Sequence, residues 1–352
     1  MRPFWLQQAL DSTQEAVCPP LQGDARCDVC IVGGGYTGLW TALMLKEAVP
    51  ALDVLLIEAD ICGAGASGRN GGCALSWSAK YFTLERLFGM AEAVRLVRES
   101  ERSIGDIGAF CAANCIDCDY RLDGTLYTAT NAAQIGATDG VIAALEQKGI
   151  NSFRRLPLEQ VQRLAGSARH LEGWFSPAAA TVQPGKLVRG LRRVALQRGV
   201  RIHEGTAMTG LEHGAPVQVR TAHGTVRADR VVLGLNAWMA RAFPQFERSV
   251  AIVSSDMVIT EPCPELLSQI GLDSGISVLD SRIFVHYYHN TSDGRLMLGK
   301  GGNTFAYGGR MLPVFDQPSP YRPLLGETVG EFFPALACLL YTSPSPRDRT
   351  RS

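Results

Sequence analysis

No stretch of this 352-residue chain approaches the run of about 20 apolar residues that a membrane-spanning helix needs. The opening Met1-Arg2-Pro3-Phe4-Trp5 is too short in apolar character for the hydrophobic region of a signal peptide. An excess of charge of one sign is missing as well. Lys+Arg and Asp+Glu stand at 34 each, so no basic field exists to attract nucleic acid or anionic lipid. A small, locally positive pocket for an anionic substrate stays compatible with that balance. These absences predict a cytoplasmic protein with no nucleic-acid partner and no membrane span. The length allows two domains, or one large α/β domain with an insertion.

A disulfide framework is also lacking, although the chain has 10 cysteines. Cys27 and Cys30 fall inside the first expected strand, where side chains three apart point to opposite faces and cannot share a metal. Cys111, Cys115 and Cys118 end an expected helix, with no fourth ligand at zinc or iron–sulfur spacing. The thiols read as incidental small hydrophobes and no metal site is expected.

What is present is an alternation of strands and helices. Residues 28–32 form a short β-branched strand running into Gly33-Gly34-Gly35, residues 36–47 a helix, and residues 53–58 a second buried strand. This is a βαβ unit with a parallel sheet. A Gly/Ala/Ser loop (62–72) precedes a helix over 90–113, a strand over 122–128 and a helix over 132–148. Pro184 opens a helix over 184–198, with Leu187, Leu191 and Val194 on one face and Gly199 at its end. Strands follow at 200–203, in a hairpin around His223-Gly224, and at 230–233. Residues 250–260 and 282–300 read as longer antiparallel strands, the latter turning at Asp293-Gly294. The fold class expected is α/β: a Rossmann-like unit with a parallel sheet, plus an inserted, mainly antiparallel β-sheet unit. The boundaries expected are 27–88 and 175–240 for the cofactor unit, and 89–174 and 241–330 for the substrate unit.

Gly33-x-Gly35-x-x-Gly38 is the dinucleotide fingerprint in its proper setting, between strand and helix. The first glycine permits the tight turn, the second lets a pyrophosphate approach, and the third packs helix on strand. The helix start at Tyr36 and Thr37 offers unpaired N–H groups to phosphate. Glu58 ends the second strand about twenty residues on, where a carboxylate accepts from a ribose hydroxyl. The fingerprint alone does not separate FAD from NAD. In the segment Gly63–Gly72, Ser67, Arg69 and Asn70 are set among glycines. That composition suits a backbone laid against a flat ring, with Arg69 supplying charge, although a flexible linker has the same look.

With these motifs in place, the sequence resembles the FAD-dependent glycine/D-amino-acid oxidase superfamily. The matching runs are IVGGGYTGL with Glu58, GASGRNGG, QPGKL (183–187), RVVLGLNAW (230–238) and DGRLMLGKGG (293–302), spanning residues 27–337. The branch it looks most like is that of γ-glutamylputrescine oxidase-like and aminophosphonate oxidoreductase-like enzymes, on GASGRNGG, WLQQAL and RLDGTLYTATN. The resemblance implies FAD held by Gly33, Gly35, Tyr36, Thr37, Gly38, Glu58, Ser67, Arg69, Asn70, Gly71 and Gly72, with Met208 by the adenine and Gly234 at a strand end near the cofactor. GLNAW here replaces the commoner A-T-G-A-[WY]. The resemblance also implies the reaction. A hydride equivalent passes from the carbon beside nitrogen to the flavin, and the resulting imine hydrolyses to an aldehyde or keto acid. Oxygen or an electron carrier then takes the electrons. No catalytic triad is expected, because the flavin does the difficult chemistry.

The substrate amine is expected against the strands 250–260 and 282–300. Period two places Arg282, Phe284, His286 and Tyr288 on one face, and Ile283, Val285, Tyr287 and His289 on the other. The first face reads as the substrate side, with Arg282 as a fork for carboxylate or phosphonate and His286 and Tyr288 above the amine. The alternative is a polar face turned to water. Lys300 is expected near the flavin, favouring reaction with oxygen, or else solvated.

From Cys338 the composition changes abruptly to CLLYTSPSPRDRTRS. Residues 338–348 resemble one reading frame of a transposon-based sequencing adapter, so 338–352 is expected to be a non-native tail on a C-terminally truncated chain. A genuine disordered Ser/Pro/Arg tail is the alternative. Two other readings of function stay open on the sequence: a non-catalytic flavin-binding fragment, and a same-fold FAD enzyme acting on a non-amine substrate.

Overall fold

A computed structural model describes residues 2–308 and 310–340. Most of the expected tail, residues 341–352, lies outside the described residues. The strands segregate into two main sheets, each with its own core.

The first sheet runs in the order Arg201–His203, Val54–Ile57, Ala25–Val32, Thr225–Leu233, Val217–Arg220, Gly210–Glu212. Its first four strands are parallel and the remaining pairings antiparallel. The parallel part is buried on both faces, which is why its strands read as continuous apolar runs. On one face Ile31 and Leu56 pack with Leu39 and Leu43 of helix Tyr36–Ala48 and with Val188 and Leu191 of helix Pro184–Gln197. On the other, Cys30, Val32, Leu55 and Ile57 pack with Val219 and Val226. Helix Tyr36–Ala48 ends where Lys46 Nζ donates to the Leu52 carbonyl at 2.9 Å. Helix Pro184–Gln197 starts at a Gln183 cap, whose side chain accepts from the Lys186 N–H at 2.6 Å. It is followed by Gly199 at φ +80°.

One expectation for this sheet fails. Cys27 and Cys30 lie in the same core cluster, whereas Val29 and Ile31 face the other side. The Asp28 and Val29 N–H groups both reach the Asp53 carbonyl, at 3.0 and 3.2 Å. This local irregularity resets the two-residue alternation. Among the described residues, no three His, Cys, Asp or Glu side chains gather as for a metal.

The second sheet runs Ile252–Ile259, Leu296–Ala306, His286–Asn290, Ser277–Asp280, Thr125–Ala129, Glu172–Ser176, Arg154–Arg155. It is antiparallel except where Ser277–Asp280 meets Thr125–Ala129. One face packs Val278, Tyr288 and Leu298 against Leu325, Val329 and Phe332 of helix Arg322–Phe332. A short pairing of Cys73–Leu75 with Ala179–Thr181 joins the two halves. The expected strand 282–300 is shorter than its apolar pattern suggests. It begins only at His286, and residues 281–284 are bend and turn. The expected helix 132–148 divides into a 3-10 turn at Ala132–Gln134 and helix Asp139–Gln147, separated by Gly136 at φ +76°. Leu339 lies beside this sheet, its carbonyl accepting from the Glu261 N–H at 2.7 Å. Among the described residues, no helix is long and apolar enough to cross a membrane.

Candidate functional site

The glycine turn after strand Ala25–Val32 is built so that no side chain fits in it. Gly33 has φ +111°, and a Cβ there would stand 2.5 Å from the Gly234 carbonyl oxygen. A Cβ on Gly38 would stand 1.9 Å from the Gly33 oxygen, so the helix start lies directly on the turn. A Cβ on Gly35 would fill the space in front of Ser67 Oγ, 2.9 Å away. Helix Tyr36–Ala48 has no side-chain cap at Gly35, which leaves its positive end to an outside anion. Only the Tyr36 N–H is engaged locally, by Ser67 Oγ at 2.9 Å. The Tyr36 hydroxyl points elsewhere, to the Pro184 carbonyl at 3.0 Å, and Thr37 is exposed. Gly234 extends the cradle, its N–H bonded to the Val32 carbonyl at 2.8 Å.

Glu58 lies at the end of strand Val54–Ile57. Its Oε2 accepts from the Gly34 N–H at 2.7 Å and its Oε1 from the Asp60 N–H at 3.0 Å. Burial pushes its carboxyl above the ordinary range, against those two bonds. Met208 is half-buried in the cluster on the same side of the sheet. A bare helix N-terminus, three glycines with no room for a Cβ and a carboxylate at the next strand end fit the pyrophosphate and ribose of a dinucleotide.

The segment Gly63–Gly72 is equally constrained. Asn70 folds back on it, its Nδ2 donating to the Ser67 carbonyl at 3.0 Å and its Oδ1 accepting from the Gly72 N–H at 2.9 Å. Gly72 has φ +68°, and a Cβ there would lie 2.3 Å from the Val182 oxygen. Arg69 does not stand free: its Nε bonds the Ala64 carbonyl at 3.1 Å and its Nη1 the Phe315 carbonyl at 3.0 Å and Asp316 at 2.9 Å.

The second sheet meets this segment through one face, and it is not the face expected. Tyr287 and His289 approach Gly71. A Cβ on Gly71 would stand 2.4 Å from Tyr287 Cε2, and His289 Nε2 lies 2.9 Å from the Gly71 oxygen. The Tyr287 hydroxyl bonds Ser255 Oγ at 2.8 Å. Gly299 lies beneath it, where a Cβ would come within 2.3 Å of Tyr287 Cζ.

His286, Tyr288 and Lys300 do share a face, but it is the one turned to helix Arg322–Phe332. Tyr288 is 2% exposed, its hydroxyl bonded to the Ala165 carbonyl at 2.6 Å and to His170 Nε2 at 2.8 Å. Burial holds His170 down at about 4. His286 Nδ1 and Arg282 Nε both engage Asp280 Oδ2, at 3.1 and 2.9 Å. Lys300, opposite His286 in the ladder, donates to Asn303 Oδ1 at 3.2 Å. Arg282 precedes the strand altogether, and bonds Thr130 Oγ1 at 3.4 Å besides Asp280. The physical reason is that this polar set satisfies itself internally. Alternation tells which residues share a face, not which face meets the neighbouring unit. Tyr287, His289 and Ser255, on the other face, carry one signal in the sequence: Gly299 and Gly301, which pair with Tyr287 and Ser255 and mark a strand that something approaches closely.

Comparison with known proteins agrees with this architecture. The family described as DAO, FAD dependent oxidoreductase, matches residues 28–350. The gamma-glutamylputrescine oxidoreductase of Escherichia coli (strain K12) is 32% identical over 305 residues, covering 86% of this chain and 70% of that protein. A probable oxidoreductase, OrdL, of Rhizobium meliloti (strain 1021) is 30% identical over 333 residues, 92% of this chain and 73% of that one. Glycine oxidase from Geobacillus kaustophilus has the same fold at 19% identity, with a TM-score of 0.71 over 91% of this chain and 81% of its own. The chain therefore belongs to the DAO family and is an FAD-dependent oxidoreductase.

Proposed function

We propose that the chain oxidises the C–N bond of a primary or secondary amine, an amino acid or a polyamine or aminophosphonate derivative, to an imine that hydrolyses to an aldehyde or keto acid. The observation that carries this reading is the close approach of Tyr287 to Gly71. It brings a small polar pair, the Tyr287 and Ser255 hydroxyls, against the segment that follows the dinucleotide cradle. The names of the relatives support the amine: one is an oxidoreductase of gamma-glutamylputrescine, and a structural neighbour is a glycine oxidase.

In this reading Gly33, Gly35 and Gly38, with the Thr37 N–H and the backbone of the loop from Ser67 to Gly72, would hold the phosphates and ring of FAD, while the Tyr36 N–H and the Arg69 side chain keep their ties to Ser67 and to Ala64, Phe315 and Asp316. Glu58 would accept from the ribose, Met208 would lie by the adenine, and Gly234 at its strand end near the cofactor. FAD, when bound, supplies the hydride acceptor, which no protein side chain provides. The chain's own groups orient the amine. The Tyr287 hydroxyl is held by Ser255, and burial pushes it up to about 12, so it is a protonated donor or a neutral acceptor at any working pH. A neutral hydroxyl pair favours the free amine over the ammonium, the form whose neighbouring carbon gives up hydride. Residues 27–88 and 175–240 form the cofactor unit, and 89–174 and 241–330 the substrate unit.

The test is anaerobic mixing of the FAD-loaded protein with a panel of γ-glutamyl amines, small amino acids and aminophosphonates. Loss of the oxidised flavin absorption with formation of a carbonyl product is expected for at least one. A flavin that dithionite reduces but no amine bleaches would remove the amine reading.

A further inference from the structure

The Gly71–Gly72 backbone is pinned at three points. Asn70 Oδ1 takes the Gly72 N–H at 2.9 Å, and the Val182 N–H donates to the Gly72 oxygen at 2.8 Å. The third tie, from His289 Nε2 to the Gly71 oxygen at 2.9 Å, comes from the second sheet, 218 residues along the chain. His289 is 2% exposed, and Trp5 lies parallel to its ring at 6.5 Å.

Both ring nitrogens of His289 face carbonyl oxygens, since Nδ1 lies 2.8 Å from the Asn290 oxygen. A neutral imidazole has one N–H for the two. Burial holds this ring at about 4, so at neutral pH it is uncharged and the proton has to be allotted. The Asn290 oxygen already accepts from Arg121 Nη2. Among the described residues, the Gly71 oxygen has only the weak Cys73 thiol besides, at 3.5 Å. The proton is therefore more useful on Nε2, where an unmade bond would leave a buried carbonyl without a strong donor.

We propose that His289 is a positioning residue for the flavin. Its Nε2–H fixes the Gly71 carbonyl, and with it the backbone against which the flavin ring rests, to the sheet that presents Tyr287. This rests on the reading that Gly71 contacts FAD. His289 acts through Gly71 and touches neither substrate nor reacting atoms.

The test compares His289→Phe, which keeps a ring and loses the donor, with His289→Gln, which keeps an N–H. Apoprotein of each full chain is titrated with FAD by flavin fluorescence, and the visible band, the flavin midpoint potential and the apoprotein Tm are recorded. His289→Phe is expected to bind FAD on the order of tenfold more weakly, with a displaced flavin band or potential. His289→Gln is expected to recover most of the affinity. Wild-type affinity, band and potential in His289→Phe would overturn the proposal. So would an equal fall in apo and holo Tm with FAD binding unchanged, the mark of a packing role alone. Should His289→Phe not fold, His289→Gln and His289→Met, close in volume with and without a donor, carry the same comparison. Failure of the wild-type apoprotein to take up FAD in the same titration would instead remove the cofactor site on which the proposal stands.

Discussion

The Tyr287 hydroxyl lies 2.8 Å from Ser255 Oγ, on the side of strand His286–Asn290 opposite to its neighbour Tyr288. The two tyrosines are adjacent in sequence, yet one stands under Gly71 and the other is sealed among Phe332 and Phe333. Their phenylalanine variants should therefore fail in different ways. Tyr288→Phe removes a donor from the buried Ala165 carbonyl and should cost about 1–2 kcal/mol of stability with turnover little changed. Tyr287→Phe should leave the denaturation midpoint nearly unmoved and lower amine turnover on the order of tenfold, as expected for one lost hydrogen bond. Urea unfolding and steady-state rates on the two variants decide it. A reversed pattern would place the substrate on the Tyr288 face.

Glu58 makes a pH prediction with a definite sign. Burial, the largest influence, raises its carboxyl above the usual range, while the Asp60 and Gly34 N–H groups pull the other way without overcoming it. On the proposed role of Glu58 as the ribose acceptor, protonation removes that acceptor, so FAD affinity should begin to fall at a higher pH than for an ordinary glutamate. Glu58→Gln should bind FAD about 10–100-fold more weakly at neutral pH and show no such fall on acidification. In the apoprotein the sign reverses. The native state takes up this proton more readily than the unfolded chain, so Glu58's contribution to stability rises as pH drops through its folded pKa. FAD titrations from neutral to mildly acid pH, on both proteins, test the point. Parallel curves would show that Glu58 is not the titrating group.

The glycine turn predicts a contrast between two substitutions. In Gly38→Ala the new methyl meets the backbone oxygen of Gly33 at 1.9 Å, and neither side has a flexible end that swings away. A loss of about 2–3 kcal/mol is expected, together with loss of FAD binding. Gly140, in helix Asp139–Gln147, has nothing within 4 Å of its would-be Cβ. Gly140→Ala should be neutral or stabilise by up to about 1 kcal/mol. Similar denaturation midpoints for the two variants would contradict the packed turn.

Much of this was legible in the sequence wherever the determinant is local. Gly33, Gly35 and Gly38 with Glu58 announce the cradle. Gln183, Pro184 and Gly199 announce both ends of a helix, because caps and turns depend on a few neighbouring residues. The failures share a different cause. Period two sets Arg282 in phase with His286, but the chain turns at 281–284 and the phase does not carry through. Alternation sets Cys27 and Cys30 apart, but two N–H groups sharing the Asp53 carbonyl bring them to one side. His286 and Lys300 read as a site because they are polar, and their polarity is answered by Asp280 and Asn303 within the second sheet and its turns. Which face of a sheet meets another unit is a tertiary fact, and only Gly299 opposite Tyr287 and Gly301 opposite Ser255 hint at it.

The N-terminal segment and the loop leading into Gly63–Gly72 are joined by a buried ionic group whose removal should be costly. Glu204 Oε1 accepts from Arg192 Nε at 2.9 Å and from Arg189 Nη1 at 3.0 Å, and Oε2 accepts from Arg192 Nη2 at 2.9 Å. Glu15 bonds both arginines from the N-terminal segment, and the Cys62 N–H donates to Glu204 at 2.8 Å. Two carboxylates thus balance two guanidiniums that are 6% and 2% exposed. Glu204→Gln leaves the pair of arginines with Glu15 alone and should destabilise by about 3 kcal/mol. Burial by itself would raise the Glu204 carboxyl, but the bonds from Arg192 and Cys62 and the charge of Arg189 outweigh it and hold it below the ordinary value. Its contribution is therefore complete above the usual glutamate range and is lost as pH falls through the lower, folded value. The gap in denaturation midpoint between wild type and Glu204→Gln should be widest at neutral pH and close in acid. A gap that stays constant into the acid range would mean that packing, and not charge, holds the loop to the N-terminal segment.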